Sequence, residues 1–156
     1  MHSLFIINST IIENLIFQDL TPNLRVIVVD TNIIVALLDK KDTHYKHAVR
    51  ILEELGDERV YILNVNLAEV YSVIARRCGE RRYNCKDALG KLRELEANIN
   101  VIWIENLKET HVEIVDKVIE SEGKLNYNDA VLLKYVRDKG TKLITLDREL
   151  LRELNQ

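Results

Sequence analysis

The chain is punctuated by short apolar runs alternating with longer segments of helical period. Arg25-Val26-Ile27-Val28-Val29 is β-branched and apolar on both faces, the pattern of a central strand covered on two sides. Ile33 to Leu38 reads as a short helical turn. Thr43 is placed to cap a helix from His44 to Leu55, with Ala48, Ile51, Leu52 and Leu55 at i, i+3, i+4 and i+7, and Gly56 stops it. Arg59 to Leu63 reads as a second strand and Asn64 to Cys78 as a helix closed by Gly79. Asn84 or Cys85 to Ala97 is helical, Asn100 to Ile104 a third strand, and Leu107 to Ser121 a helix. Asn126 to Lys139 is a helix stopped by Gly140, Thr141 to Thr145 a fourth strand, and Asp147 to Leu154 a last short helix.

Strands that alternate with helices predict an α/β fold. The expected form is a three-layer α/β/α sandwich around a mainly parallel sheet of about four to five strands, joined by right-handed crossovers. The single proline, Pro22, lies in the turn signal Leu20-Thr21-Pro22-Asn23. It separates an N-terminal extension, residues 1–23, from a compact domain, residues 24–156. The extension has a mixed apolar face whose role the sequence does not decide. No segment has the roughly 18 consecutive apolar residues of a membrane helix.

Composition narrows the class further. The chain has 156 residues, is 47% hydrophobic and 30% charged, and has a formal charge of −3. A domain of this size folds on its own core, without a metal or disulfide staple. The slight acidity excludes a broad basic coat but leaves room for a local basic rim. Cys78 and Cys85 are too few for a secreted disulfide framework, so they read as unpaired thiols in a cytoplasmic protein. His44 and His47 share a helix face but lack the further ligands of a zinc site.

In parallel sheets, ligands collect at the carboxyl ends of the strands. Asp30 directly follows the first strand, and Asp147 lies two residues after Thr145 at the last. Each is equally readable as a helix cap. Asp129 shares its helix stripe with Leu132, Leu133 and Val136, the core-facing positions. A carboxylate there is either satisfied by helix N–H groups or an arginine, or is an inward-facing metal ligand. Glu69 flanks the stripe Leu67, Val70, Tyr71 and Ile74, and alone it is an ordinary helix glutamate. Carboxylates that converge on one mouth repel one another, by about 4 kcal/mol for a pair about 4 Å apart at an effective dielectric near 20. A divalent cation removes that repulsion, and all-oxygen ligation favours Mg²⁺ or Mn²⁺ over Zn²⁺.

Four stretches carry a resemblance to a known family: Val28-Val29-Asp30-Thr31-Asn32, Asn66-Leu67-Ala68-Glu69-Val70, Leu125-Asn126-Tyr127-Asn128-Asp129-Ala130 and Leu143-Ile144-Thr145-Leu146-Asp147. In this order, on these element types, they resemble the PIN-domain family of metal-dependent nucleases. The small size is similar to that of VapC-type toxins. The resemblance implies an endoribonuclease that leaves a 5′-phosphate and a 3′-hydroxyl. It implies Asp30, Glu69, Asp129 and Asp147 as catalytic metal ligands, and Thr31, Asn32 and Thr145 as donors that orient them. It further implies Mg²⁺ or Mn²⁺ as cofactor, RNA as substrate, an antitoxin protein as partner and a homodimer. Two features depart from the pattern: the N-terminal 23 residues, and Arg148-Glu149-Leu150, where an aromatic often sits.

Arg76, Arg77, Arg81 and Arg82 form the strongest basic patch and follow the Glu69 helix. They suit RNA phosphates, or equally a solvated helix end. Tyr71, Tyr83 and Tyr127 have the chemistry to stack on bases, though packing is the commoner use of each. Other classes compete with the nuclease reading. An RNA-processing nuclease without an antitoxin, and a non-catalytic RNA- or protein-binding module of the same fold, share the class. A haloacid-dehalogenase-type phosphatase needs a second Asp where Asn32 stands. A receiver-like phosphoacceptor domain needs paired acids after the first strand, which are absent.

Overall fold

The computed structural model describes residues 26–156, except 57, 81–83 and 98. The N-terminal extension and Arg25 therefore lie outside the described residues. Eleven elements follow in order: β1 (Val26–Val29), α1 (Thr31–Leu38), α2 (Tyr45–Leu55), β2 (Arg59–Leu63), α3 (Asn64–Gly79), α4 (Cys85–Glu96), β3 (Asn100–Ile102), α5 (Leu107–Glu120), α6 (Tyr127–Lys139), β4 (Lys142–Ile144) and α7 (Arg148–Leu154). The four strands are parallel in the order β3-β2-β1-β4. Ile27 pairs with Val60 on one side and Lys142 on the other.

Pleating divides the core in two. Successive residues of a strand point to opposite faces. Val29 and Ile62 thus pack with α1 to α4, while Val28 and Leu63 pack with α5, α6 and α7. Covering both faces explains why β1 is apolar throughout and why Ile27, Val28 and Val29 are all buried. This is the three-layer α/β sandwich that the strand–helix alternation predicts, with four strands among the described residues.

Local chemistry moves several boundaries from their expected places. The first helix spans eight residues from Thr31 rather than a turn from Ile33, because the Asp30 carboxylate accepts the Thr31 N–H at 2.6 Å and opens the helix earlier. Thr43 does not cap α2; Asp42 Oδ1 accepts the His44 N–H at 2.9 Å instead. The third strand ends at Ile102, since the Ile104 N–H turns to Asn64 Oδ1 at 3.2 Å. Helix α6 ends at Gly140, whose φ of 60° is the left-handed region that glycine occupies without a Cβ clash.

The cysteines also depart from expectation. Cys78, near the end of α3, and Cys85, at the start of α4, are joined by a disulfide with their Cα atoms 5.2 Å apart. The bond holds the end of one helix against the start of the next. A hydrogen bond from the Tyr71 hydroxyl to Glu96 Oε2 at 2.5 Å ties the same two helices further along. Among the described residues, no helix is long and apolar enough to cross a membrane.

Candidate active site

Asp30 leaves the end of β1 with its backbone N–H on Ile144 O at 2.9 Å, so the pairing of β1 with β4 fixes where its side chain starts. The residue is 4% exposed. One carboxylate oxygen, Oδ1, caps α1; the other, Oδ2, accepts the Thr145 hydroxyl at 2.7 Å. Thr145 stands just past β4, and its oxygen is fully used. It donates to Asp30, and accepts from Asn32 Nδ2 at 3.0 Å and from the Asp147 N–H at 2.9 Å. Asn32 Oδ1 accepts the Leu146 N–H at 3.1 Å, which locks the strand end to α1.

The other acids join through α1 and α6. Thr31 donates to Glu69 Oε2 at 2.9 Å, and Asn128 Nδ2 reaches the same oxygen at 3.4 Å. Asn66 is wholly buried, and its Nδ2 lies 3.3 Å from Thr31 Oγ1 and 3.5 Å from Asp30 Oδ1. A continuous set of hydrogen bonds thus runs from Glu69 through Thr31 to Asn66, Asp30, Thr145 and Asp147. Asn128 ties Glu69 to the helix that carries Asp129.

Each aspartate does the bland work expected of a cap, but with one oxygen. Asp147 Oδ1 accepts the Glu149 and Leu150 N–H groups. Asp129 Oδ2 accepts the Asn126 N–H at 2.9 Å in a capping box with the Asn126 side chain. No donor among the described residues reaches Asp129 Oδ1, Asp147 Oδ2 or Glu69 Oε1. Nor does any described Lys or Arg pair with the four acids; the ion pairs lie elsewhere.

Among the described residues, this charge is therefore uncompensated. Burial pushes the Asp30 carboxyl up to about 6; the charges of Asp129 and Glu69 push the same way, against the Thr145 hydroxyl and the Thr31 N–H. The Asp129 carboxyl is raised too, by burial first and then by the charges of Glu69 and Asp147, against the Asn126 N–H. Asp129 is thus within electrostatic reach of the other three acids.

This donor set fits a hard divalent cation in kind: oxygen only, anionic, with free lone pairs and, among the described residues, no competing ammonium or guanidinium. It does not form a ready-made cage, because among the described residues no three His, Cys, Asp or Glu side chains converge closely enough to hold an ion.

The sequence reading passed over Asn66 and Asn128. Its basic patch divides: Arg76 and Arg77 lie in the last turn of α3, roughly 11 Å along the axis from Glu69, and Arg77 lies 3.6 Å from Asp42 in an ion pair. Arg81, Arg82 and Tyr83 lie outside the described residues. A cleft of about 320 Å³ walled by Trp103, Leu107, Ile114, Val131 and Tyr135 is lined by none of the four acids.

The Thr145 hydroxyl is expected to hold down the Asp30 pKa. Thr145→Val keeps the shape and removes the donor to the charged carboxylate, a contact of about 1.5–3 kcal/mol. The Asp30 carboxyl then titrates about one unit or more higher. Thr145→Ser should leave it in place. Carboxyl-carbon NMR titration of the metal-free protein checks both, and an unchanged Asp30 titration in Thr145→Val would refute the role.

Comparisons with known proteins agree with this architecture. The model of the PIN domain family matches residues 27–154. Among solved structures, VapC20 of Mycobacterium tuberculosis, described as a sarcin–ricin-loop-cleaving toxin, is 22% identical with a TM-score of 0.65, covering 81% of this chain and 94% of its own. PAE2754 of Pyrobaculum aerophilum is 22% identical with a TM-score of 0.60, covering 83% and 79%. VapBC2 of Rickettsia felis, solved with a DNA fragment from its promoter, is 16% identical with a TM-score of 0.59, covering 81% and 92%. At these identities the likeness is one of fold. No curated protein matches.

Proposed function

We propose, from the premise that this chain belongs to the PIN-domain family, that it is a divalent-metal-dependent endoribonuclease and the toxin of a toxin–antitoxin pair. Residues 24–156 form the nuclease domain in this reading. The observation that carries it is the linkage of four acids by hydrogen bonds and by mutual charge, with three carboxylate oxygens lacking donors and no Lys or Arg paired to them among the described residues. A purely structural cluster would pair those charges or replace them, since each unpaired buried charge is costly.

Asp30, Glu69, Asp129 and Asp147 would hold Mg²⁺ or Mn²⁺. The bound ion supplies Lewis-acid polarisation of the phosphodiester and a lowered pKa for water. The chain supplies orientation. Helix α1, α6 and α7 amides fix one oxygen of each aspartate and leave the other for ligation, except at Asp30, where Thr145 holds the second. Thr31 and Asn128 fix one oxygen of Glu69 in the same way. Preset acids cost little reorganisation when an ion and a phosphate arrive.

The toxin reading draws support from VapC20, a toxin of the same fold, and from VapBC2, which shares it. RNA oligomers incubated with the purified protein should be cut in Mn²⁺ or Mg²⁺, leaving 5′-phosphates, and stay intact in EDTA. Expression should arrest growth, and a neighbouring gene's product should relieve the arrest. RNA left intact in both metals overturns the nuclease. Cleavage without growth arrest overturns only the toxin role and favours RNA processing.

A further inference from the structure

We propose that Asn66 is a positioning residue, which sets the Asp30 carboxylate and the Thr31 hydroxyl for the ion; this rests on the nuclease reading above. Asn66 sits on α3 beside Leu67 and Val70, both buried, on a stretch that packs into the apolar core. Asparagine is a poor choice there. It has low helix propensity, and a buried carboxamide has four hydrogen bonds to satisfy.

The hydrogen bonds it makes all lead to the acids. Its Nδ2 lies 3.3 Å from Thr31 Oγ1 and 3.5 Å from Asp30 Oδ1, and its backbone oxygen lies 3.3 Å from Thr31 Oγ1. Thr31 passes the constraint on, donating to Glu69 Oε2 at 2.9 Å. Glu69 is one helical turn after Asn66, on the same face. One side chain therefore relates the acid at the end of β1 to the acid on α3.

The acceptor is left over. Asn66 Oδ1 is buried and has no hydrogen-bond partner. An asparagine kept for folding would have both ends satisfied, as buried polar groups generally do. The opposite amide orientation would set that oxygen against the Asp30 carboxylate, so the orphan is the consequence of aiming the nitrogen at the site. A leucine of similar size would fold at least as well. The stability forgone is explained by the orientation gained.

The test uses Asn66→Leu and Asn66→Ser. Without metal, Asn66→Leu should melt at or above the wild-type temperature, because it removes an unsatisfied polar atom. Its Mn²⁺ affinity, read by the EPR signal of free Mn²⁺ in the absence of RNA, should fall about 10–100-fold, the range for groups that orient metal ligands. The kcat should fall by a similar factor with KM for RNA unchanged. Asn66→Ser, which retains a short donor, should recover part of both. Wild-type Mn²⁺ affinity and kcat in Asn66→Leu overturn the proposal, and so does a lowered melting temperature in both variants, which marks a structural role. A wild-type protein that binds no Mn²⁺ defeats the nuclease reading itself, and this inference with it.

Discussion

Asp30→Asn is expected to cut RNA about a thousandfold more slowly than wild type at pH 8 in Mn²⁺, the equivalent of about 4 kcal/mol of lost transition-state stabilisation. The substitution preserves volume and still offers an oxygen to the Thr31 N–H, so α1 keeps its cap. What changes is charge and the second oxygen. An amide nitrogen at the Oδ2 position faces the Thr145 hydroxyl, which already takes bonds from Asn32 and the Asp147 N–H and would lose its only acceptor. The innermost anion of the cluster disappears with it. Asp129→Asn should cost a similar order. Its Oδ2 partner is a backbone N–H that an amide oxygen can also serve, so the loss there is the charge and the outer oxygen that would ligate the ion. Single-turnover cleavage of a short RNA, with equal protein and metal, measures both. An Asp30→Asn protein that keeps a tenth or more of the wild-type rate removes Asp30 from the chemistry.

What the sequence revealed depended on whether a feature is local. The β-branched run before Asp30 is a property of five neighbours, and it reads correctly as a doubly covered strand. Asp129 on the stripe of Leu132, Leu133 and Val136 is visible from helical spacing, and its helix does carry it to the other acids. Asn66 was hidden because a single asparagine on a helix carries no spacing signal of its own. Only the approach of α1, a chain-distant contact, shows that Asn66 points at Asp30 and Thr31. The Arg77–Asp42 ion pair is non-local in the same way, and ties one arginine of the basic cluster to a distant acid. The Cys78–Cys85 disulfide joins two helix ends whose approach spacing alone does not state. Just past the strand ends at Ile102 and Ile144, the Ile104 and Leu146 N–H groups turn to the side chains of Asn64 and Asn32, which the apolar pattern does not show.

The metal-free protein should lose stability as pH rises from about 4 to about 6, and a divalent cation should restore it. Asp30 in the folded state holds its proton up to about 6, against an ordinary value of 3.8. Between those values the native chain binds more protons than the unfolded one, and stability falls with rising pH. The contribution is fully present below about 4, is lost through about 6, and amounts to the order of 3 kcal/mol. Asp129, raised in the same direction, adds to the loss. Other carboxylates titrate across this range, so the informative quantity is the difference from Asp30→Asn, which has no charge to bury. In EDTA the stability of the variant relative to wild type should rise by about 3 kcal/mol between pH 4 and pH 7.5. Mn²⁺ at a hundred times its dissociation constant should then stabilise wild type at pH 7.5 by about 2.7 kcal/mol, and the variant by much less. The Mn²⁺ effect should fade below about pH 6, where protons compete for the same oxygens. Parallel stability curves for the two proteins across this range would mean that the Asp30 charge is already compensated within the fold, leaving a cation nothing to relieve.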